Sequence, residues 1–171
     1  MAQIIKNKSD KCIFCLISSN KIQSKKVYED DDFMAILDIY PASKGHILLF
    51  PKDHIKTISE LPQEIFSIAK NLTLVLKQIS AGVNLFIAEG EIAGQKSEHM
   101  VIHLIPRYID DNLPLTWNPQ KISEEELNEI QKEIISKVEI PKKETPKEEI
   151  IKEEIEEIKD YSDFDEEERF P

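Results

Sequence analysis

Residues 97–108 read SEHMVIHLIPRY, an apolar run carrying two histidines, His99 and His103, four positions apart. Side chains of a strand alternate between its two faces, so positions 99, 101 and 103 would share one face. The chain therefore has to build a sheet that presents a His–Val–His row on one side. Pro106 cannot donate to a strand ladder and is the expected end of the segment. The row is either a pair of unrelated core histidines or the remnant of a three-residue device whose middle position is now Val101.

The rest of the chain supplies partners for that strand. KKVYEDDDFMAILDIY reads as a hairpin, with a strand opening at Val27-Tyr28, a turn at Asp30–Asp32 and a return strand over Phe33–Ile39. PASKGH is a loop, and HILLFPK is a short apolar strand expected to be buried on both faces. Ile65, Ile68, Leu72, Leu76 and Ile79 recur at helical spacing, which predicts the main helix, with Gly82 as its stop. VNLFIAEG is a further strand. Leu16 and Ile17 predict one or two helical turns near the N-terminus. Strands and helices in this order, with short links, indicate an α+β domain built on an antiparallel sheet.

Charge separates this domain from the C-terminal segment. Residues 1–120 carry 13 basic and 14 acidic side chains, and residues 121–171 carry 9 and 19. A helix is expected near 121–140, because Ser123 and Glu126 form a capping box and Leu127, Ile130, Ile134 and Val138 form an apolar stripe that should pack on the domain. Residues 141–171 read as an acidic, largely disordered tail able to recruit a protein partner. An acidic tail repels phosphate, and no dense basic run occurs elsewhere, which argues against DNA or RNA as a partner. MAQIIKNKSDK lacks the apolar core of a secretory signal, and no stretch approaches the ~20 apolar residues of a membrane span. A cytoplasmic protein is expected.

The two cysteines, Cys12 and Cys15, are spaced as in a zinc knuckle. Two of the four histidines, His46, His54, His99 and His103, could complete a four-ligand site. Two cysteines packing as small hydrophobes are the alternative.

Taken together, CIFCLI, VYEDDDFMAILDIYPASKGHILLFPKDHI and GQKSEHMVIHLIPRY resemble the histidine triad family over residues 10–110. The resemblance implies a five-stranded antiparallel sheet, commonly joined to a second copy as a ten-stranded sheet, hence a homodimer. It implies a nucleotide-binding protein of a family whose members often cleave at the α-phosphorus. It implies a structural Zn2+ on Cys12, Cys15, His54 and His99. For a purine mononucleotide or dinucleotide it implies Ile13, Phe14, Ile17, Ile36 and Ile39 around the base, Asp38 at the ribose, and Gln95, His46 and His103 near the phosphates.

The chain departs from the family pattern at the phosphate end. The triad reads His99-Met-Val101-Ile-His103, so the position of the attacking histidine holds an alkyl group that cannot form a covalent intermediate. Ala88 stands where an asparagine is common, and Lys96 follows Gln95 where many members carry a small hydroxyl residue. These features favour retained nucleotide binding with impaired or lost nucleotidyl chemistry. Two alternatives stand beside that reading. One is an active hydrolase of phosphoramidates or dinucleoside polyphosphates that uses His103, or a water activated by His46. The other is a zinc-pinned dimeric scaffold with a partner-binding tail.

Overall fold

The structure, a computed structural model, describes residues 11–114 and 117–138. Five strands form one sheet in the order β1-β2-β3-β5-β4, every neighbouring pair antiparallel. The strands are β1 (Lys26–Glu29), β2 (Phe33–Leu37), β3 (Ile47–Pro51), β4 (Gly82–Ile87) and β5 (Ile102–Arg107). Helix α1 (Ile13–Ser18) precedes β1 and helix α2 (Glu64–Leu76) links β3 to β4. The α+β class is as expected.

Alternation along the central strands divides the core into two layers. Phe33, Ala35, Ile47, Leu49, Ile102 and Leu104 point to one side and pack with Ile65, Ala69 and Leu76 of α2. Met34, Ile36, Leu48 and Phe50 point to the other, where they meet Ile17 and Phe14 of α1 and Val101. β3 is buried along its whole length because both layers cover it. The register sets Ile36 opposite Leu48, Leu48 opposite His103, and His103 opposite Phe86. A row of side chains thus crosses the sheet on the face away from α2, and that face carries the site.

Three sequence-based expectations are corrected. β5 begins at Ile102 rather than at the first histidine, yet His99 and Val101 still face the side that His103 faces. Their backbone is held elsewhere, with the Met100 N–H donating to the Ile55 carbonyl at 2.7 Å. Pro106 does not end β5. It pairs with Val83 of β4, and its carbonyl accepts from the Ser43 hydroxyl at 2.5 Å on the side facing the loop before β3, which starts at Ile47 opposite Leu104. Its missing N–H therefore deprives no neighbouring strand of a donor. Finally, α2 ends at Leu76, leaving Ile79 on the surface, and Gly82 opens β4 instead of stopping the helix.

The described residues fall into two units, 11–114 and 117–138. In the second, helix α3 (Glu124–Lys137) begins with the expected capping box: the Ser123 hydroxyl accepts from the Glu126 N–H, and the Glu126 carboxylate accepts from the Ser123 N–H. Glu124–Glu126 lie in its first turn and Lys137 in its last, which complements the helix dipole. The tail expected over 141–171 lies outside the described residues. Among the described residues no helix is long and apolar enough to cross a membrane.

Candidate functional site

A cavity of about 430 Å³ opens on the sheet face away from α2. Phe14, Asp38, His46, Gln95, His99, Val101 and His103 all contribute to its wall. Of the base-binding residues expected from sequence, Phe14 is there. Ile17 and Ile36 lie beneath it in the buried layer, and Ile13 and Ile39 stand on the surface at 50% and 77% exposure. Leu48, Phe86 and Ile105 also line the cavity and were not anticipated. Phe86 comes from the neighbouring strand, opposite His103. Only the β4–β5 register could have revealed it.

His46 and His103 form a hydrogen-bonded line, with Asp38 beside it. Asp38 leaves the end of β2, where its Oδ1 accepts from the Tyr40 N–H at 2.9 Å and its Oδ2 lies 3.4 Å from His46 Nδ1. The Ala42 N–H donates to His46 Nδ1 at 3.2 Å. A ring nitrogen that accepts a backbone proton carries none of its own, so His46 holds its proton on Nε2. That Nε2–H donates to His103 Nδ1 at 3.1 Å. His103 in turn holds its proton on Nε2, which has no protein partner among the described residues. Burial lowers the pKa of His46, against the pull of Asp38. Burial also lowers that of His103, aided by His46 and Lys96 and opposed by Asp38. Both shifts favour the neutral rings, so the line ends in a neutral donor.

Gln95 holds a loop. Its Oε1 accepts from the Gly90 N–H at 2.8 Å, and its Nε2 donates to the Lys56 carbonyl at 3.1 Å. The Gln95 N–H also donates to the Gly90 carbonyl. This tight circuit needs Gly90 and Gly94 at φ +88° and +93°, where a side chain would be strained. Lys96 follows directly and lines the cavity.

On the other side of Phe14 lies a sulfur and nitrogen cluster. The ligand atoms of Cys12, Cys15, His54 and His99 fall within 4.8 Å of one another. His99 Nδ1 is 3.4 Å from Cys12 Sγ and 3.7 Å from Cys15 Sγ, and His54 Nδ1 is 3.3 Å from Cys15 Sγ. His99 Nε2–H donates to the Pro51 carbonyl at 2.8 Å, which leaves the Nδ1 lone pair facing the sulfurs. That backbone anchor is the usual outer partner of a ligating histidine. Burial lowers the His99 pKa to about 4, so the ring is neutral. The four side chains could hold a metal ion.

A HIT domain family model matches residues 19–110. The chain belongs to the HIT family. This HIT protein is 38% identical over 128 residues to adenosine 5′-monophosphoramidase of Schizosaccharomyces pombe, spanning 72% of this chain and 95% of that one. It superposes on the crystal structure of a HIT family protein from Bacillus anthracis with a TM-score of 0.68 at 36% identity, covering 77% and 99% of the two chains. It also superposes on a zinc-bound histidine triad family protein from Mycobacterium smegmatis with a TM-score of 0.54 at 28% identity, covering 74% and 94%.

Proposed function

We propose that this HIT protein binds a purine nucleotide in the cavity and has lost most or all of the covalent nucleotidyl chemistry associated with its family. The observation that carries this reading is Val101. It lines the cavity between His99 and His103 in sequence, where the resemblance to the family puts the attacking histidine, and has no lone pair to offer phosphorus. Asp38 and Phe14 both line the cavity, which supports a ribose at the first and one face of a base at the second. The relative from S. pombe, by its name, acts on an adenosine 5′-monophosphoramidate, which supports a nucleotide as the ligand class.

The hydrogen-bond line also speaks against His103 as a replacement nucleophile. Its Nδ1 lone pair accepts from His46 and its Nε2 carries the proton, so neither nitrogen is free to attack. The ring can donate to a phosphate oxygen. His46, with its own proton donated to His103, is likewise poorly placed to activate water.

In this reading Cys12, Cys15, His54 and His99 hold a structural zinc. Zn–S bonds of about 2.3 Å and Zn–N bonds of about 2.0–2.1 Å at tetrahedral angles put S and N about 3.6 Å apart. The observed sulfur–nitrogen distances of 3.3 to 3.7 Å bracket that separation. Thiolates select against magnesium and calcium. The ion would close the N-terminal segment onto the approach to β5, and four protein ligands leave it no open position for chemistry. A thiol pair used this way suits a reducing compartment such as the cytoplasm.

A homodimer completes the proposal. β4 is an edge strand of the sheet, with Leu85 exposed on it, and Leu74 and Val75 are exposed on α2. An open apolar edge is normally paired or covered. Light scattering that returns a monomer at micromolar concentration would contradict this part.

Calorimetric titration with AMP and GMP tests the binding. Single-turnover kinetics with an adenosine phosphoramidate, quenched in acid, tests the chemistry. Saturable nucleotide binding without a nucleotidyl–protein adduct is the expected pair of results. An adduct on the wild-type chain would overturn the lost-nucleophile reading.

A further inference from the structure

We infer that Lys96 sets the charge specificity of the cavity, selecting a nucleoside monophosphate with a terminal dianionic phosphate over a phosphodiester of the same nucleoside. This rests on the nucleotide reading above and goes beyond it, because it concerns what lies on the far side of the phosphorus. Among the described residues, Lys96 is the only lysine or arginine in the cavity wall, and it makes no ion pair there. Of the other polar groups in the wall, Asp38 is the ribose partner in the reading above, and the Ser97 hydroxyl accepts from the His99 N–H; the rest carry no charge. His103 is a neutral donor by the hydrogen-bond line from Ala42 through His46. Gln95 spends its carbonyl on Gly90 and one amide proton on Lys56. Ala88 contributes only a methyl group.

The groove beyond the cavity points the same way. Lys96 shares it with Lys56, Glu91 and Glu98. Lys56 is already committed, its Nζ lying 2.9 Å from Glu98 Oε2. An extended ligand with further negative charge would therefore leave Lys96 and run into Glu91 and the paired Glu98. A terminal phosphate stops short of them. An unpaired ammonium gains more from two charges than from one, whereas neutral donors discriminate weakly between them.

The test compares three probes on the full chain: purine nucleoside 5′-monophosphates (AMP and GMP), their phosphate methyl esters, and the parent nucleosides. The wild-type protein should bind a monophosphate about tenfold more tightly than its methyl ester, the scale of one charge-assisted contact. Lys96→Met should bring those two affinities together and leave the nucleoside unchanged, and Lys96→Arg should keep the preference. Lys96 is exposed, so these variants should melt with the parent. If the preference survives in Lys96→Met, or is missing from the wild type, the assignment of Lys96 is wrong while nucleoside binding stands. If no probe binds, the nucleotide reading fails and the inference falls with it.

Discussion

His46 Nε2 and His103 Nδ1 lie 3.1 Å apart, although 57 residues separate them in the chain. His46 enters from the loop before β3 and His103 from β5, and the β3–β5 register brings them together. Because the Ala42 N–H fixes the tautomer of His46, it also fixes that of His103. A single backbone amide thus bears on which proton His103 turns to the cavity.

Val101→His is expected to restore an adduct. Loss of a covalent nucleophile commonly costs several orders of magnitude in rate, so an imidazole at this position should raise single-turnover cleavage of a phosphoramidate by at least about 100-fold. Ala88 and Lys96 remain in the variant, and full recovery is not expected. Rapid quench with acid trapping measures it.

Cys15→Ala should lower both metal content and stability. Elemental analysis of the parent should find one zinc per chain, and the variant should contain almost none. Structural zinc contributes folding free energy directly, so a loss exceeding about 2 kcal/mol is expected, or roughly 4–8 °C in Tm. Calorimetric melting checks it. Unchanged melting in a zinc-free parent would remove the metal from the account.

Stability should fall as pH drops below about 6.5 in chelator-treated protein. Burial lowers the folded-state pKa values of His46 and His103. An unfolded histidine takes up its proton near pH 6.5, while the folded one resists until lower pH. The unfolded state therefore binds more protons in that window, and stability there rises with pH. Glu29, Asp30, Glu60 and Asp111 also have lowered pKa values and should add a second loss near and below pH 4. Melting curves between pH 8 and 3 should show both phases, and His103→Gln should weaken the first.

Truncation after residue 141 should leave the fold intact. Residues 142–171 hold 13 acidic and 6 basic side chains and few apolar groups for a core. The shortened chain should melt within about 2 °C of the parent. Early melting or aggregation would give the segment a structural role.

Most of the sheet was legible because its strands are short, apolar and punctuated. HILLFPK could only be a central strand, and it is buried at every position of β3. The errors fall where local signals compete with tertiary ones. Ile79 continues the helical period of α2, but the backbone tightens after Leu76 and the side chain stays outside. Pro106 looks like a stop until it is known that β3 starts short of it, at Ile47 opposite Leu104. At the site, the sulfur and nitrogen cluster followed from residue types and a family pattern. The engagement of Gln95 with its own loop, and the approach of Phe86, depend on turn geometry and register that no spacing rule reports.

Phe14 sits between Cys12 and Cys15 on a six-residue helix, with its ring centroid 5.3 Å from that of His99 and 4.9 Å from that of Phe50. The cavity wall and the sulfur cluster are therefore one mechanical part, sharing a helical turn and a histidine. Ligand and ion should feel each other reciprocally. If both bind as proposed, a chelator should weaken nucleotide affinity without touching the nucleotide, and a bound nucleotide should raise the metal's affinity by the same factor.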